Sequence, residues 1–273
     1  VTINRAYDSR VKTKGDFGIG WNLDLKTLKL QTNRAPGDGW TNIKSGGFFF
    51  YYYTLTPIKA HRITVTFGDG HVEEFRFTPQ PETSAFIPVQ TPEAAFTALP
   101  GTTSTLEPVG NKLLYWSGDQ HLDQSTWQTY NPQEYRLTTK NGTVYYFNLS
   151  QELKSVTDPN GNTLTISSTG VIHSSGIGVS FVRDIQNRIT RIIDPAGNSL
   201  SYEYNDRGDL VKVINQAGAL TTFAYDGNHN LIEIIDPLGN RPAKNEYDAD
   251  GRLVSTTDAN GNVTTIAHDT GGR

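Results

Sequence analysis

Three groups of residues in this 273-residue chain have types and spacings that could do chemistry. Asp69 with Glu73 or Glu74 offers the paired carboxylates that glycoside hydrolysis uses when one group is held protonated and the other ionised. Spacing fixes no separation between them, and nothing around them raises either pKa. Asp158, Asn160 and Asn162 put side-chain oxygens on alternate residues, as a calcium loop does, yet the run is short and has the composition of a turn. His61, His71, His121, His173, His229 and His268 show no close pairing of the metal-ligand kind, and no nucleophile-elbow serine is present. Cysteine is absent, which excludes disulfides and thiolate chemistry. The expectation is no catalytic residue, no metal site and no cofactor.

The elements that would position such residues dominate the carboxy-terminal half, which repeats itself. Tyr204, Tyr225, Tyr247 and His268 fall 21, 22 and 21 residues apart, followed by Asn205, Asp226, Asp248 and Asp269. Six residues after the first three anchors come Leu210, Leu231 and Leu253, and Gly218, Gly239 and Gly261 recur further on. Weaker copies use Phe147, Leu153, Asp158 and Gly161, then Arg183, Ile189, Asp194 and Gly197. Apolar runs such as Leu210 to Ile214 predict short strands. Asp194-Pro195-Ala196-Gly197 and its counterparts predict turns, because proline fixes φ and glycine accepts positive φ. Leu200, Tyr202 and Tyr204 alternate with Ser201, Glu203 and Asn205, so one face of each return strand is aromatic. A hairpin of this size cannot bury its own apolar face, so neighbouring hairpins must stack. The prediction is an all-β fold: a coiled antiparallel sheet of stacked hairpins, with Tyr204, Tyr225, Asp226, Tyr247 and Asp248 as structural repeat anchors.

Residues 1–140 predict an irregular β region that starts and caps the sheet, and residues 141–273 the hairpin repeats, interrupted by an insertion near 167–178 and cut within the last unit. Gly18 and Gly20 allow close backbone approach around Phe17 and Trp21, as in chain closing one end of a sheet. Gly68-Asp69-Gly70-His71 and Asn141-Gly142 mark hairpins. Residues 79–110 predict a long surface loop, with Thr91 to Leu99 its only helical stretch. Phe48 to Tyr53, six consecutive aromatics, predicts a strand buried on both faces, with a sugar-stacking platform or partner surface at Tyr51 and Tyr53 as the alternative.

Gly 26, Pro 13, 13 Tyr, 12 Phe and 19% charged residues suit a turn-dense β protein of a secreted or cell-surface kind. A formal charge of -4 and dispersed Lys and Arg argue against nucleic acid, and no apolar stretch is long enough for a membrane helix. Methionine is absent even at residue 1, so the chain is expected to begin inside a longer product or after processing.

The units from Tyr225-Asp226 to Asp236-Pro237-Leu238-Gly239-Asn240, and from Tyr247-Asp248-Ala249-Asp250-Gly251-Arg252-Leu253 to Asp258-Ala259-Asn260-Gly261-Asn262, resemble the YD repeats of Rhs proteins. Asn4-Arg5-Ala6-Tyr7-Asp8-Ser9-Arg10 and Phe17-Gly18-Ile19-Gly20-Trp21 resemble the segment that opens the Rhs core. The middle, about 79 to 135, matches loosely. Departures are Arg183 at an anchor, Gly208-Asp209 where Gly-Arg is usual, and Arg241-Pro242 in the longest unit, where a bulge or a brief exit from the ladder is expected. The resemblance implies a segment of a large β-shell, in bacterial polymorphic toxins and more distantly in teneurins, that encapsulates a carboxy-terminal toxin or effector domain. The implied partners are the rest of the shell, the enclosed effector, and delivery or cell-surface proteins. Rhs shells often end in a self-cleaving site beside Asp-Pro-x-Gly-Leu; here Asn162, Asn198 and Asn240 stand where that leucine would be. The alternatives are a glycan- or protein-binding module and, more weakly, a β-rich glycosidase at Asp69 and Glu73.

Overall fold

The structure, a computed structural model, describes residues 3–23, 28–149 and 152–268. Asp269 and the Gly271 to Arg273 end lie outside the described residues. All regular structure among the described residues is β, and the chain divides into two compact units. One comprises residues 1–25, 167–172 and 176–273, the other residues 26–166 and 173–175.

In the first unit a long antiparallel ladder follows chain order from Gly170–His173 to Val263–Thr265, each strand pairing with the next. Where the sequence places an insertion, Gly170–His173 pairs with Gly178–Arg183. Arg183, Tyr204, Tyr225 and Tyr247 each sit at a shift in register. The pairing slips between Val182 and Arg183, Glu203 and Tyr204, Ala224 and Tyr225, and Glu246 and Tyr247, so that Arg183 faces Ile189, Tyr204 faces Leu210, Tyr225 faces Leu231 and Tyr247 faces Leu253. A bulge of this kind adds one residue to a strand and increases local twist. At Arg241 and Pro242 the ladder narrows to two paired positions, Glu233 with Lys244 and Ile234 with Ala243, since proline has no N–H to give.

Two turns per repeat use one device. Asp194 Oδ1 accepts the N–H groups of Ala196 and Asn198, and Asp236 Oδ1 those of Leu238 and Asn240. At the other end of the strands, Asn205 Oδ1 accepts from Arg207 and Asp209, Asp226 Oδ1 from Asn228 and Asn230, and Asp248 Oδ1 from Asp250 and Arg252. The side chain satisfies backbone donors that the reversal would leave open. Left-handed backbone follows at Gly239 (φ 85°), Gly208 (φ 90°) and Gly251 (φ 75°), and also at Asn187 and His229 in the equivalent place.

Among the described residues, the second unit contains three sheets and a separate hairpin. Trp40–Gly46, Tyr51–Pro57 and Thr83–Ala85 form one, and Lys29–Thr32, Arg62–Thr66, Val72–Phe77 and Phe96–Ala98 another. Thr105–Pro108, Glu134–Thr138, Val144–Asn148, Glu152–Thr157 and Thr163–Ser167 make a shorter ladder, with the same register slip at Phe147. Leu114–Ser117 pairs with Gln120–Asp123. Among the described residues, the unit's apolar side chains gather around Val65, Phe75, Tyr135, Leu137 and Phe147, and around Trp40, Phe77, Leu114 and Tyr130.

Three expectations are corrected here. Thr91 to Leu99 is not helical: Glu93 N–H bonds Gln80 O, Ala94 N–H bonds Lys112 O, and Phe96–Ala98 pairs with Val72–Phe77, so non-local partners take the backbone groups. Residues 79–110 are not one surface loop, since they carry strands and bury Val89, Ala94 and Leu106. The six aromatics do not form a buried strand. Phe48 and Phe49 are 92% and 91% exposed at a hairpin tip, and the strand begins only at Tyr51.

Candidate functional site: an amino-terminal segment on the aromatic face of the repeats

The bulges sort the ladder's side chains onto two unlike faces. Tyr202 pairs with Val213 and Phe223 with Ile234; Tyr202, Val213 and Phe223 are buried, as are Leu210 and Leu231 beside them. On the opposite face Glu203 pairs with Lys212 and the two side chains form an exposed ion pair at 2.9 Å. Residues 5–23 lie over the aromatic face.

This segment is held by two short strand pairs, Arg5–Tyr7 with Trp21–Leu23 and Lys14–Gly15 with Gly18–Ile19. Phe17 packs on Tyr202 with ring centroids 4.8 Å apart, and Trp21 meets Phe223 edge-on at 5.6 Å. Trp21 Nε1 donates to the Tyr225 hydroxyl at 2.8 Å. Arg5 places its guanidinium 5.3, 5.8 and 5.4 Å from the rings of Trp21, Tyr202 and Phe223, a cation surrounded by π faces. The Tyr7 hydroxyl donates to His229 O at 2.7 Å and accepts from Leu231 N–H at 3.0 Å. Backbone also engages directly: Ile19 N–H bonds Gly208 O, and Ile189 N–H bonds Asp16 O. A Cβ at Gly18 would lie 2.5 Å from Gly208 O, so only glycine admits this approach. The segment runs along the face from Arg183 to Gly251. Sequence periodicity could not show this, because the contacts join residues some 200 positions apart.

The departures from the repeat pattern have partners in this region. Arg183, standing at an anchor, donates to Asp16 Oδ1 at 2.8 Å in a largely buried ion pair, and to Asn187 O and Ser168 O. In the neighbouring turns Arg188 pairs with Asp184 and Arg252 with Asp248. At Asn205 the polarity is reversed: Asn205 Nδ2 donates to Asp209 Oδ2, and Asp209 Oδ1 meets His229 Nδ1 of the following unit at 2.6 Å.

The anchors link successive units through their polar ends. The Tyr204 hydroxyl donates to Ile189 O, the Tyr247 hydroxyl to Leu231 O at 2.8 Å, and His268 Nε2 bonds Leu253 O at 2.8 Å. Tyr225 takes the Trp21 indole in their place. Burial pushes the Tyr204 and Tyr225 phenols well above the ordinary tyrosine range. The turn carboxylates move the other way. The Asn198 amide holds Asp194 below the usual range, and the N–H and guanidinium of Arg252 do so for Asp248. Gly218, Gly239 and Gly261 sit in the turns with φ of 79°, 85° and 84°.

The remaining candidates lie in the second unit and are occupied differently. Asp158 Oδ1 accepts the N–H groups of Asn160 and Asn162, and Oδ2 accepts the Asn162 amide, so the calcium-like run closes a turn. Asp69 Oδ1 accepts His71 N–H, and Glu74 pairs with Arg62 at 2.9 Å. Glu73 is buried; burial pushes its carboxyl up, but hydrogen bonds from Ser104 and Thr103 outweigh this and hold it below the ordinary range, opposite to a general acid. Tyr51 carries Lys44 Nζ 3.8 Å over its ring and meets Tyr53 edge-on at 6.2 Å. His61 and His121, unrelated in sequence, both pack on Trp40, at 5.1 and 5.0 Å. No group of three or more His, Cys, Asp or Glu able to hold a metal ion occurs among the described residues.

Stacked bulged hairpins, each closed by Asx turns and linked to the last through an anchor side chain, define a β-repeat protein. The RHS Repeat family profile matches residues 204–241 and 247–273, so this stretch of the chain carries repeats of the Rhs/YD type. Among solved structures, a chain in the crystal structure of TcdB2-TccC3-TEV is similar at 12% identity with a TM-score of 0.32, over 77% of this chain and 12% of that one. This chain therefore spans about an eighth of that chain's length. No curated protein matches the sequence.

Proposed function

We propose that the chain is a non-enzymatic strip of an Rhs-type shell that encloses and protects a carboxy-terminal toxin or effector domain of its parent protein. The observation that carries this reading is uniformity: the same bulge, anchor and Asx turn recur along the ladder. The individual departures, at Arg183, Asp209 and Pro242, fall at anchor and turn positions of that common pattern. Each unit adds wall area, and its function would be containment, with the surface keeping an effector from proteases until delivery. The partners would be the remainder of the shell, the effector and a delivery or cell-surface protein, in a secreted or surface-associated bacterial setting.

Limited proteolysis of the parent protein tests this. The effector should survive protease concentrations that degrade it once it is separated from the repeats. Equal digestion of enclosed and separated effector, or a parent chain without further repeats, would overturn the shell reading.

A further inference from the structure

The three-stranded sheet of the second unit ends in an apolar tip that the shell reading does not use. Gly47 N–H bonds Phe50 O, closing the reversal, and Gly46 adopts φ 110° where a Cβ would strike Phe50 O at 2.6 Å. Phe48, Phe49 and Phe50 are thereby presented at 92%, 91% and 62% exposure. Phe86 and Ile87, following the adjoining strand, extend the patch at 49% and 66%, with Phe86 against Phe50 at 5.4 Å. Behind the phenylalanines stand Tyr51, Tyr52 and Tyr53. The three strands, Trp40–Gly46, Tyr51–Pro57 and Thr83–Ala85, carry a single formal charge, the cation Lys44.

We propose that this hairpin tip inserts into the interfacial layer of a phospholipid bilayer. Phenylalanine at the apex followed by a collar of tyrosine is the order in which these side chains distribute between acyl chains and headgroups. A cation with no acidic residue on the same strands matches an anionic headgroup layer. The apex triplet alone exposes roughly 500 Å² of aromatic surface at the end of one hairpin. A projecting hairpin tip with phenylalanine at its apex and tyrosine behind it has the form of a shallow insertion element. The inference is independent of the containment reading and stands or falls separately from it.

Vesicle flotation tests it, with the 273-residue chain and large unilamellar vesicles of phosphatidylcholine with phosphatidylglycerol, or of phosphatidylcholine alone. The wild type should float with vesicles. Phe48→Ser, Phe49→Ser and Phe50→Ser combined should lower partitioning at least about tenfold. Ile185→Ser with Leu238→Ser, which removes exposed apolar residues in turns of the other unit, should leave it unchanged. Lys44→Glu should weaken binding to the anionic vesicles, and a Phe49→Trp variant should be quenched by brominated phosphatidylcholine. A wild type that stays in the aqueous layer, a triple variant that floats equally well, or an unquenched Trp at position 49 would overturn the proposal. So would a wild-type dimer that the triple variant abolishes while flotation persists, since the tip would then serve a second copy of the chain.

Discussion

The two units are built from the same kind of strand but are held by different means. In the repeat unit the turns are satisfied locally, each Asp or Asn closing its own five-residue reversal, and long-range order comes from one segment laid over the aromatic face. The second unit is held by cores assembled from distant positions, and these enclose polar atoms as well: His121 is fully buried, and neither of its ring nitrogens has a hydrogen-bond partner. A local device repeats without limit, whereas a non-local core must be specified residue by residue. The contrast predicts different weaknesses in the two regions.

The largest effect is expected at Trp21, which is 6% exposed and touches Tyr7, Phe223 and Tyr225. Trp21→Ala should cost about 3–5 kcal/mol, read as a lowered urea midpoint and as lost hydrogen-exchange protection at ladder amides near Phe223 and Leu231. Loss confined to residues 5–23 would mean that the segment decorates the ladder without stabilising it.

Next comes acid sensitivity of the second unit. Burial, and then the neighbouring His61, lower His121 from 6.5 to about 4. The unfolded chain therefore binds that proton first, so stability is complete above the unfolded value, falls as pH drops through the interval between the two values, and levels off below it. The loss is roughly 3 kcal/mol. His61 is shifted in the same direction, mainly by burial. Urea midpoints from pH 7 to 4 should show this slope, and His121→Phe should flatten it; an unchanged slope would assign the acid response elsewhere. The turn carboxylates act at lower pH, because their folded values are depressed below about 4. Their contribution is present above the ordinary aspartate range and is lost as pH falls through the depressed values.

The smallest effect separates two glycines. Gly239→Ala imposes a side chain at φ 85° in open space and should cost about 1–2 kcal/mol. Gly227, with no positive φ and no neighbour within 4 Å, should tolerate alanine with a change near zero. Equal thermal shifts for the two variants would remove backbone conformation as the reason for the repeated glycine.

These differences explain what the sequence made legible. Strands, turns and the all-β class follow from alternation and from Asp-Pro-x-Gly, because the determining residues are adjacent in the chain. The bulges at Arg183, Tyr204, Tyr225 and Tyr247 were not visible, since Tyr204 facing Leu210 is a property of pairing. Neither was the docking of Phe17 and Trp21, although the glycines around them signalled close approach to something. Phe48 to Tyr53 misled because hydrophobicity was equated with burial, whereas Gly46-Gly47 turns the chain just before the phenylalanines and leaves them outside. His61 and His121 meet only through folding around Trp40, which no spacing announces.

The absence of cysteine makes the two-faced ladder directly measurable by single-cysteine labelling. Cysteines placed at Lys212 or Glu203 should react with a small maleimide at rates close to those of the unfolded chain. Cysteines at Val213 or Tyr202, on the face beneath residues 5–23, should react at least about a hundredfold more slowly. Adding Trp21→Ala should speed the second pair and leave the first unchanged. Equal rates at the two pairs would contradict a wall closed on its aromatic face and open on its polar one.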